Sequence, residues 1–393
     1  MGEYIRKNFL FCRGIAVLVI VLLLGFIIAP SIIATDPIND DFDEEIEKLM
    51  EDACFPSLSA CIIKNNSVVW SKGYGLCDIR NNKEATNDTI YLTGSISKTI
   101  TATAIMQLWE QGLFNLDDDV NEYLPYKLRN PKYPDVPITF RMLLAHQSSL
   151  SKVTIGLFLF FSILRFPVEK LPEYILPDGR IYNPLSWVNS PPGEKHTYSS
   201  IGYEILGYLV EHFSNQSFTD YCQEHIFQPL KMFDTSFLPE DLDEERFAIP
   251  YVHFLTKYLR LPHYTNYNFA AGGVRTTILD LARYLLAYMN WGEYDGARIL
   301  EEETVDLMLT YQYQYPDNKY GLGWKMFMID TVNDTRRIGH SGAVLGGLAY
   351  MYYLSSNNTG VIYAVNQYLI CTPKYFQVWN EILSLLFEKA QKM

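Results

Sequence analysis

Strand-like patterns of apolar and polar positions occur near both ends of the chain. Residues 57–64 and 67–76 flank a polar Asn-Asn pair and predict a β-hairpin. Near the C terminus, four segments have a similar texture: residues 320–330, 335–342, 346–354 and 361–367. The turn signal Ser-Ser-Asn-Asn-Thr-Gly separates the last two of them.

Between these ends the apolar spacing is that of helices. The first helical pattern contains Ile96, Ile100, Ala104, Ile105 and Leu108, and Gly112 follows as a helix stop. Further helical patterns occupy residues 138–146, 201–213, 277–292 and 375–390. We therefore predict an α/β fold: an antiparallel sheet flanked by helices, built from the N- and C-terminal segments, with a mostly helical second lobe at about residues 100–290. A pocket between two such lobes is a common place for an active site.

The N terminus carries a membrane or export signal. Three basic residues precede an uncharged apolar run from Gly14 to Ala29, and acidic residues begin at Asp36. This order of charges predicts that the rest of the chain lies across the membrane. Extended to Ala34, the run approaches the roughly 20 residues that span a bilayer, and Ile32 stands where a signal peptidase needs a small residue. We interpret the segment as a signal anchor, with a cleaved signal peptide or a buried core helix as alternatives.

The chain is thus predicted to have three parts. Residues 1–35 form the signal segment, residues 36–45 an acidic linker, and residues 46–393 one large domain with the helical lobe inserted in it. Sequons at Asn65, Asn87, Asn215, Asn333 and Asn357 fit an exported chain. Five of the six cysteines lie beyond the signal segment, without metal-ligand spacing, so we interpret them as buried free thiols. One bridge among Cys54, Cys61 and Cys77 is the alternative.

Composition narrows the choice of partner. The 393 residues are 48% hydrophobic and 20% charged, which is sufficient for a large core. The formal net charge of -13 and the pI near 5.0 argue against nucleic acid, since phosphates require a basic surface. The sequence contains no metal-ligand cluster, phosphate-cradling glycine loop or dinucleotide fingerprint, so we expect neither a metal nor another cofactor. The oligomeric state is left open.

A serine and a lysine three residues apart open the first helical pattern. Ser95 lies at a helix entrance, where partial positive charge accumulates, and Lys98 lies one turn later on the same face. A serine hydroxyl needs a nearby base or cation to react, and this arrangement supplies one together with a backbone donor for an oxyanion. A helix cap with an exposed lysine is the alternative. A second such pair, Ser149 and Lys152, follows the end of a helical pattern, and we interpret it as a coincidence in a loop.

Five segments in order resemble a known family. They read "YLTGSISKTITATAIMQLWEQG", "ITFRMLLAHQSSL", "PPGEKHTYSSIGYEILGYLVE", "AAGGVRTTILDLARYL" and "RIGHSGAVLGG". Over about residues 45–385 the chain resembles the class C β-lactamase-like serine hydrolases, which include penicillin-binding DD-peptidases and related esterases and use an S-x-x-K motif. The resemblance implies a β-lactamase/transpeptidase-like fold.

The resemblance also implies roles for individual residues. Ser95 would be the acylated nucleophile and Lys98 its activating partner. Tyr198 would accept the serine proton and later help deliver it to the leaving group, with the Lys98 ammonium favouring the phenolate. An ordinary tyrosine and a structural strand histidine are the alternatives for Tyr198 and His340. His146 is interpreted as structural.

The strand motif would line the other side of the cleft. His340, Ser341 and Gly342 match the motif written Lys-Thr-Gly or His-x-Gly in relatives. The backbone N–H groups of Ser95 and Ala343 would form the oxyanion hole, and losing one such donor costs about 10²- to 10³-fold in rate.

One position departs from the family pattern. Ser200 stands where Tyr-x-Asn motifs carry an asparagine that contacts the substrate amide, which argues against a true β-lactamase. The leading hypothesis is an extracytoplasmic, membrane-anchored serine hydrolase acting through an acyl-enzyme on a peptide, amide or ester. A true β-lactamase and a catalytically idle penicillin-binding scaffold are the alternatives. The apolar run at residues 156–164 is either a core helix or a hydrophobic lid at the cleft rim.

Overall fold

The computed structural model describes residues 42–151, 171–180, 182–254, 256–263, 269–313, 319–330, 335–368 and 374–393. The helices are α1 (Phe42–Ala53), α2 (Ser97–Glu110), α3 (Phe140–Leu144), α4 (Leu171–Ile175), α5 (Ser200–Ser214), α6 (Phe218–Cys222), α7 (Phe269–Gly272), α8 (Ile278–Met289), α9 (Glu302–Met308) and α10 (Tyr375–Lys392). The strands are β1 (Ser57–Lys64), β2 (Ser67–Asp78), β3 (Lys83–Glu84), β4 (Tyr91–Leu92), β5 (Tyr251–Phe254), β6 (Lys257–Arg260), β7 (Arg275–Thr276), β8 (Glu293–Tyr294), β9 (Ala297–Arg298), β10 (Lys325–Asp330), β11 (Thr335–Val344), β12 (Gly347–Leu354) and β13 (Thr359–Val365).

Strands from both ends of the chain form one antiparallel sheet. Its order is β10-β11-β12-β13-β1-β2-β3. Leu58 of β1 pairs with Val365 of β13 on one side and with Tyr74 of β2 on the other. The two halves of this sheet are directly paired in space. In the sequence, the segment that contains α2 to α9 lies between the strands of the first half and those of the second. This confirms the predicted α/β class and the predicted origin of the sheet.

Both faces of the sheet are covered. Successive side chains of a strand point to opposite faces, so Leu348 of β12 joins the core beneath α1 and α10, while the adjacent Ala349 joins the core of the helical lobe. Every residue of β13 is buried. A strand buried on both faces reads as a continuous apolar run, which explains its sequence "VIYAV".

Helix α1 begins within the acidic stretch. Residues 36–45 were predicted to be an acidic linker, and α1 starts at Phe42. Its first turn is acidic, and negative charge stabilises a helix N terminus. Asp43 also accepts hydrogen bonds from Lys72 and from the Tyr74 hydroxyl, each at 2.6 Å. The acidic residues at this point are thus helix-starting residues.

Helix α2 forms the centre of the helical lobe. Its residues from Ser97 to Met106 are all buried, so it is enclosed by protein on every side. It packs against α5 and α7. Lys98 therefore enters the interior even though lysine is almost never buried unless it is paired.

The segment at residues 320–324 was predicted to be the beginning of a strand, but β10 starts only at Lys325. Gly323 has φ +86, which a strand residue does not adopt, and a Cβ atom at this position would overlap Ala102 of α2. The glycine-containing turn thus brings the chain close to α2 before the strand begins.

Some predictions concern residues outside those described, namely the signal segment at 1–35, Lys152, the apolar run at 156–164, Asn333 and Cys371. Within the described ranges, none of the helices has the length and apolar character needed to cross a bilayer. Cys54, Cys61, Cys77 and Cys222 are free thiols, and all but Cys54 are buried.

Candidate functional site

Ser95 lies in a tight turn between the sheet and α2. Residues Gly94–Ile96 form a 3₁₀ turn, and α2 follows directly from Ser97. Gly94 has φ +56, in the left-handed region that glycine adopts without strain. Ser95 is partly exposed, whereas its neighbours Gly94 and Ile96 are buried. The turn therefore leaves Ser95 partly accessible to solvent.

The Lys98 side chain lies next to Ser95. Its Nζ lies 3.1 Å from the Ser95 Oγ and donates a hydrogen bond to the Ala271 carbonyl at 2.7 Å. The side chain is fully buried. Burial lowers the pKa of Lys98, Glu204 opposes this shift and the nearby Lys325 adds to it, so that the resulting pKa is about 7. Near neutral pH much of Lys98 is therefore an amine, which can accept a proton.

Tyr198 completes the cluster around the hydroxyl. Its phenol forms a hydrogen bond with Ser95, and the Lys98 Nζ lies 5.0 Å from its ring centroid. Burial raises the pKa of Tyr198 above its ordinary value. The phenol therefore keeps its proton at neutral pH. Together the two shifts favour Lys98, rather than Tyr198 as the resemblance implied, as the acceptor of the serine proton, and they agree with Tyr198 as a proton donor.

His146 holds the backbone next to Tyr198. Its Nδ1 accepts a hydrogen bond from the Ser199 N–H at 3.1 Å, and its ring lies 4.3 Å from the Tyr198 ring. Burial keeps the pKa of His146 well below its ordinary value, so the ring is neutral and its Nδ1 can accept. This agrees with its interpretation as a structural residue.

Strand β11 crosses the Ser95 turn at very short range. Strand β10 pairs with residues 335–339 of β11. The edge of β11 at residues 340–344 is therefore not covered by β10, and it contacts the Ser95 turn instead. A Cβ atom at Gly342 would overlap the Thr93 carbonyl and lie 2.6 Å from the Ser95 nitrogen. On the other side, a Cβ atom at Gly94 would lie 2.8 Å from the Ala343 nitrogen. The backbone N–H groups of Ser95 and Ala343 thus both lie where β11 crosses the Ser95 turn.

His340 and Ser341, neighbours in the strand motif, differ in their exposure to solvent. His340 is buried, its ring centroid 6.3 Å from that of Tyr198. Its Nδ1 lies 2.7 Å from the Ser341 carbonyl, which can only accept, so this nitrogen carries the proton. Burial holds the pKa of His340 well below its ordinary value, and its Nε2 has no hydrogen-bond partner among the described residues. Ser341 is partly exposed.

Two charged residues of the site were missed by the sequence analysis. Lys325 is the first residue of β10; its Nζ lies 3.3 Å from the Ser341 Oγ and 5.9 Å from the Tyr198 ring centroid. Pairing of Lys325 with Gly339 places it there, and a single sequence does not reveal such pairing. Glu204 is a buried carboxyl on α5. In the sequence, Glu204 is a single acidic residue within the apolar part of a helical pattern, and this feature could have indicated a buried carboxyl.

The remaining serines differ in position. Ser200 is the first residue of α5 and half-buried, following Ser199, whose hydroxyl accepts a hydrogen bond from the Gly202 N–H at 3.4 Å. Ser149 is buried and accepts a hydrogen bond from Asn130 at 3.0 Å. The described part of the second Ser-Lys pair is thus enclosed in protein, which favours its interpretation as a coincidence.

Known proteins are similar to this chain in sequence. Protein flp from Staphylococcus aureus (strain MW2) is 24% identical over 359 residues, covering 88% of this chain and 66% of that protein. The chain thus spans slightly less than two thirds of this relative's length. The D-alanyl-D-alanine-carboxypeptidase/endopeptidase AmpH of Escherichia coli (strain K12) is 24% identical over 362 residues, 86% of this chain and 88% of that protein.

Solved structures give the same result for the fold. The octameric penicillin-binding protein homologue from Pyrococcus abyssi superposes with a TM-score of 0.74 at 28% identity, covering 88% of this chain and 77% of that one. A D-amino acid amidase from Ochrobactrum anthropi SV3 superposes with a TM-score of 0.69 at 21% identity, covering 90% and 99%.

A family model described as beta-lactamase matches residues 42–369, most of the chain. This confirms the resemblance found in the sequence motifs and the expected fold. The chain belongs to the β-lactamase family of serine hydrolases.

Proposed function

We propose that this protein hydrolyses a peptide, amide or ester through an acyl-enzyme on Ser95. One observation supports this above all: a buried lysine with a pKa of about 7 lies 3.1 Å from a partly exposed serine hydroxyl. A serine becomes nucleophilic when a neighbouring base takes its proton, and a base with a pKa near the working pH is well suited to do so.

The proposed reaction has two halves. The Lys98 amine takes the Ser95 proton while Oγ attacks the substrate carbonyl carbon. The oxyanion that forms accepts hydrogen bonds from the N–H groups of Ser95 and Ala343. Tyr198 gives its proton to the leaving nitrogen or oxygen and recovers one from Lys98. Water then attacks the acyl ester carbon while Lys98 takes its proton. As the bond to Ser95 Oγ breaks, Lys98 returns this proton to Oγ, which releases the acid and restores the hydroxyl.

The positive charge of Lys325 beside Tyr198 favours a substrate with an anionic group. Lys325 and Ser341 are partly exposed beside Tyr198, and an ammonium next to a hydroxyl is suited to bind a carboxylate. Relatives named as a D-alanyl-D-alanine carboxypeptidase and as a D-amino acid amidase support an amide or peptide substrate. We propose that such a carboxylate lies near the scissile bond.

We further propose that the domain acts outside the cytoplasm, held at the membrane by residues 1–35. The apolar run with basic residues before it and acidic residues after it supports this location. Determining the N-terminal residue of the mature protein tests it, since a start near Thr35 would indicate a cleaved signal peptide.

Two alternatives remain open. A true β-lactamase is disfavoured because the short hydroxyl of Ser200 replaces the asparagine amide of the family motif. A catalytically idle scaffold is disfavoured because Ser95, Lys98 and Tyr198 meet at one point.

Mass spectrometry of the intact protein tests the proposal. After incubation with a fluorophosphonate, we expect one adduct on the wild type and none on Ser95→Ala, because a buried amine with a pKa of about 7 lies beside this serine. Ser149→Ala, from the second Ser-Lys pair, is the matched control and is expected to be labelled like the wild type. Absence of any adduct on the folded wild type would favour the scaffold, and fast turnover of a β-lactam would favour the β-lactamase.

A further inference from the structure

A carboxyl group lies buried beneath the candidate site. Glu204 is on α5, six residues after Tyr198, and only 3% of it is exposed. Its Oε1 accepts a hydrogen bond from the Ala271 N–H at 2.9 Å, and the carboxylate also accepts one from the Ala270 N–H. A carboxylate with so little access to water requires partners of this kind.

The same two residues of α7 are held from the opposite side by α2. Lys98 donates to the Ala271 carbonyl at 2.7 Å, and Thr101 donates to the Ala270 carbonyl at 2.6 Å. One peptide segment thus connects the carboxylate of α5 to the ammonium of α2. Because both groups bind Ala271, a shift of either one displaces the other.

The charged groups near Lys98 have opposite effects on its pKa. Glu204 is the acidic group that favours the charged form of Lys98, whereas Lys325 opposes it. The histidines that face Lys98, His146 and His340, are neutral because burial depresses their pKa values. Tyr198 and Tyr203, whose rings lie 5.0 and 5.7 Å from the Lys98 Nζ, stay protonated because burial raises their pKa values. Among the described groups, Glu204 is therefore the acidic group that acts on Lys98.

We propose that Glu204 is a positioning residue that holds the Lys98 amine against Ser95 through Ala271 and supplies its counter-charge. This inference rests on the proposed function, since it assigns Glu204 to the base of that reaction. Burial raises the pKa of Glu204 itself to about 8. The carboxyl and the amine then both titrate near neutral pH, where small changes in either alter the protonation of the other.

Glu204→Gln tests the counter-charge. The amide keeps the size of the side chain and an oxygen acceptor for the α7 amides, but it removes the negative charge that favours protonated Lys98. The pKa of Lys98 then falls, and the rising limb of the acylation rate of Ser95 moves to lower pH. We expect a shift of up to about one unit, because the carboxyl, with a pKa of about 8, is only partly ionised where Lys98 titrates.

Thr101→Val is the matched control. It removes the other hydrogen bond to the same segment, from Thr101 to the Ala270 carbonyl, without a change of charge. It is expected to slow acylation at most moderately and to leave the pH of the limb unchanged. Equal pH profiles for wild type, E204Q and T101V would overturn the inference. A wild type that is not acylated at all would instead overturn the proposed function.

Thermal melting gives a second measurement that needs no activity. A folded-state pKa of about 8 against an ordinary 4.5 means that Glu204 stabilises the fold at low pH and loses this contribution as pH rises through that interval. Glutamine has no such dependence. The melting temperature of E204Q relative to wild type should therefore rise between about pH 5 and about pH 8, while that of T101V stays at a constant difference. Parallel curves for E204Q and wild type would show that Glu204 has no titrating role.

Discussion

Lys325 and Glu204 act on Lys98 with opposite signs, so their substitution should have opposite effects. Lys325 lowers the pKa of Lys98, and Lys325→Met removes this effect while keeping most of the apolar stem. The rising limb of the acylation rate should then move to higher pH, because the Lys98 amine forms only at higher pH. The rate of labelling by a neutral fluorophosphonate across pH measures the shift.

The same variant tests substrate binding. For a substrate with a carboxylate near the scissile bond, Lys325→Met should raise KM about 10-fold or more, consistent with loss of a charge-assisted hydrogen bond. An uncharged ester of the same acyl group is the control, and its KM should hardly change. Equal effects on both substrates would show that Lys325 does not select for negative charge.

Single residues differed in how well the sequence revealed them. Ser95 and Lys98 were found because an S-x-x-K spacing and a helix start coincide, and Tyr198 because its flanking residues form a recognisable motif. Protonation could not be read in the same way. The direction of each pKa depends on burial, which separates Lys98 from Tyr198 only once their surroundings are known.

At the scale of elements, the approach of β11 to the Ser95 turn depends on a missing side chain. Gly342→Ala would place a methyl group against the Thr93 carbonyl and 2.6 Å from the Ser95 nitrogen. The strand must then move away, and the amides of Ser95 and Ala343 separate. We expect acylation to fall by about 10²-fold or more, as when an oxyanion donor is lost, and the rate of fluorophosphonate labelling measures it.

Gly202→Ala provides the matched control for this substitution. Gly202 lies in α5, and a Cβ atom there would meet only ordinary contacts, the nearest being Leu143 at 3.4 Å. Alanine also favours a helix by up to about 1 kcal/mol over glycine. This variant should keep its activity and melt no earlier than the wild type. If G342A were equally active, the crossing would not form the oxyanion site.

Regular elements were predictable from periodicity, but their ends were not. The hairpin at residues 57–76 and the helix after Ser95 follow directly from the apolar pattern. The start of β10 was misplaced because Gly323 requires a left-handed turn against α2, a contact between distant segments. Helix α1 was not predicted, because its acidic first residues were interpreted as part of a linker although they also suit a helix N terminus.

At the scale of the whole molecule, stability depends on a layer distant from the site. Ile382 of α10 is fully buried against the face of the sheet opposite the helical lobe. Ile382→Ala should lower the free energy of unfolding by about 2–5 kcal/mol, as measured by the shift of the denaturation midpoint. Glu388→Ala, exposed on the same helix, should change it by less than about 0.5 kcal/mol. The pH dependence of acylation should be the same in both variants.

The shared sheet also constrains when the protein can fold. Ser57, the first residue of β1, donates its backbone N–H to the side chain of Asn366, 309 positions later. Until the ribosome has made β13, strand β1 lacks this neighbour and exposes an unpaired edge that invites aggregation. Closing so long a loop is slow. Synthesis must therefore be almost complete before the first strand can be enclosed, and a nascent chain depends on protection of that edge until then.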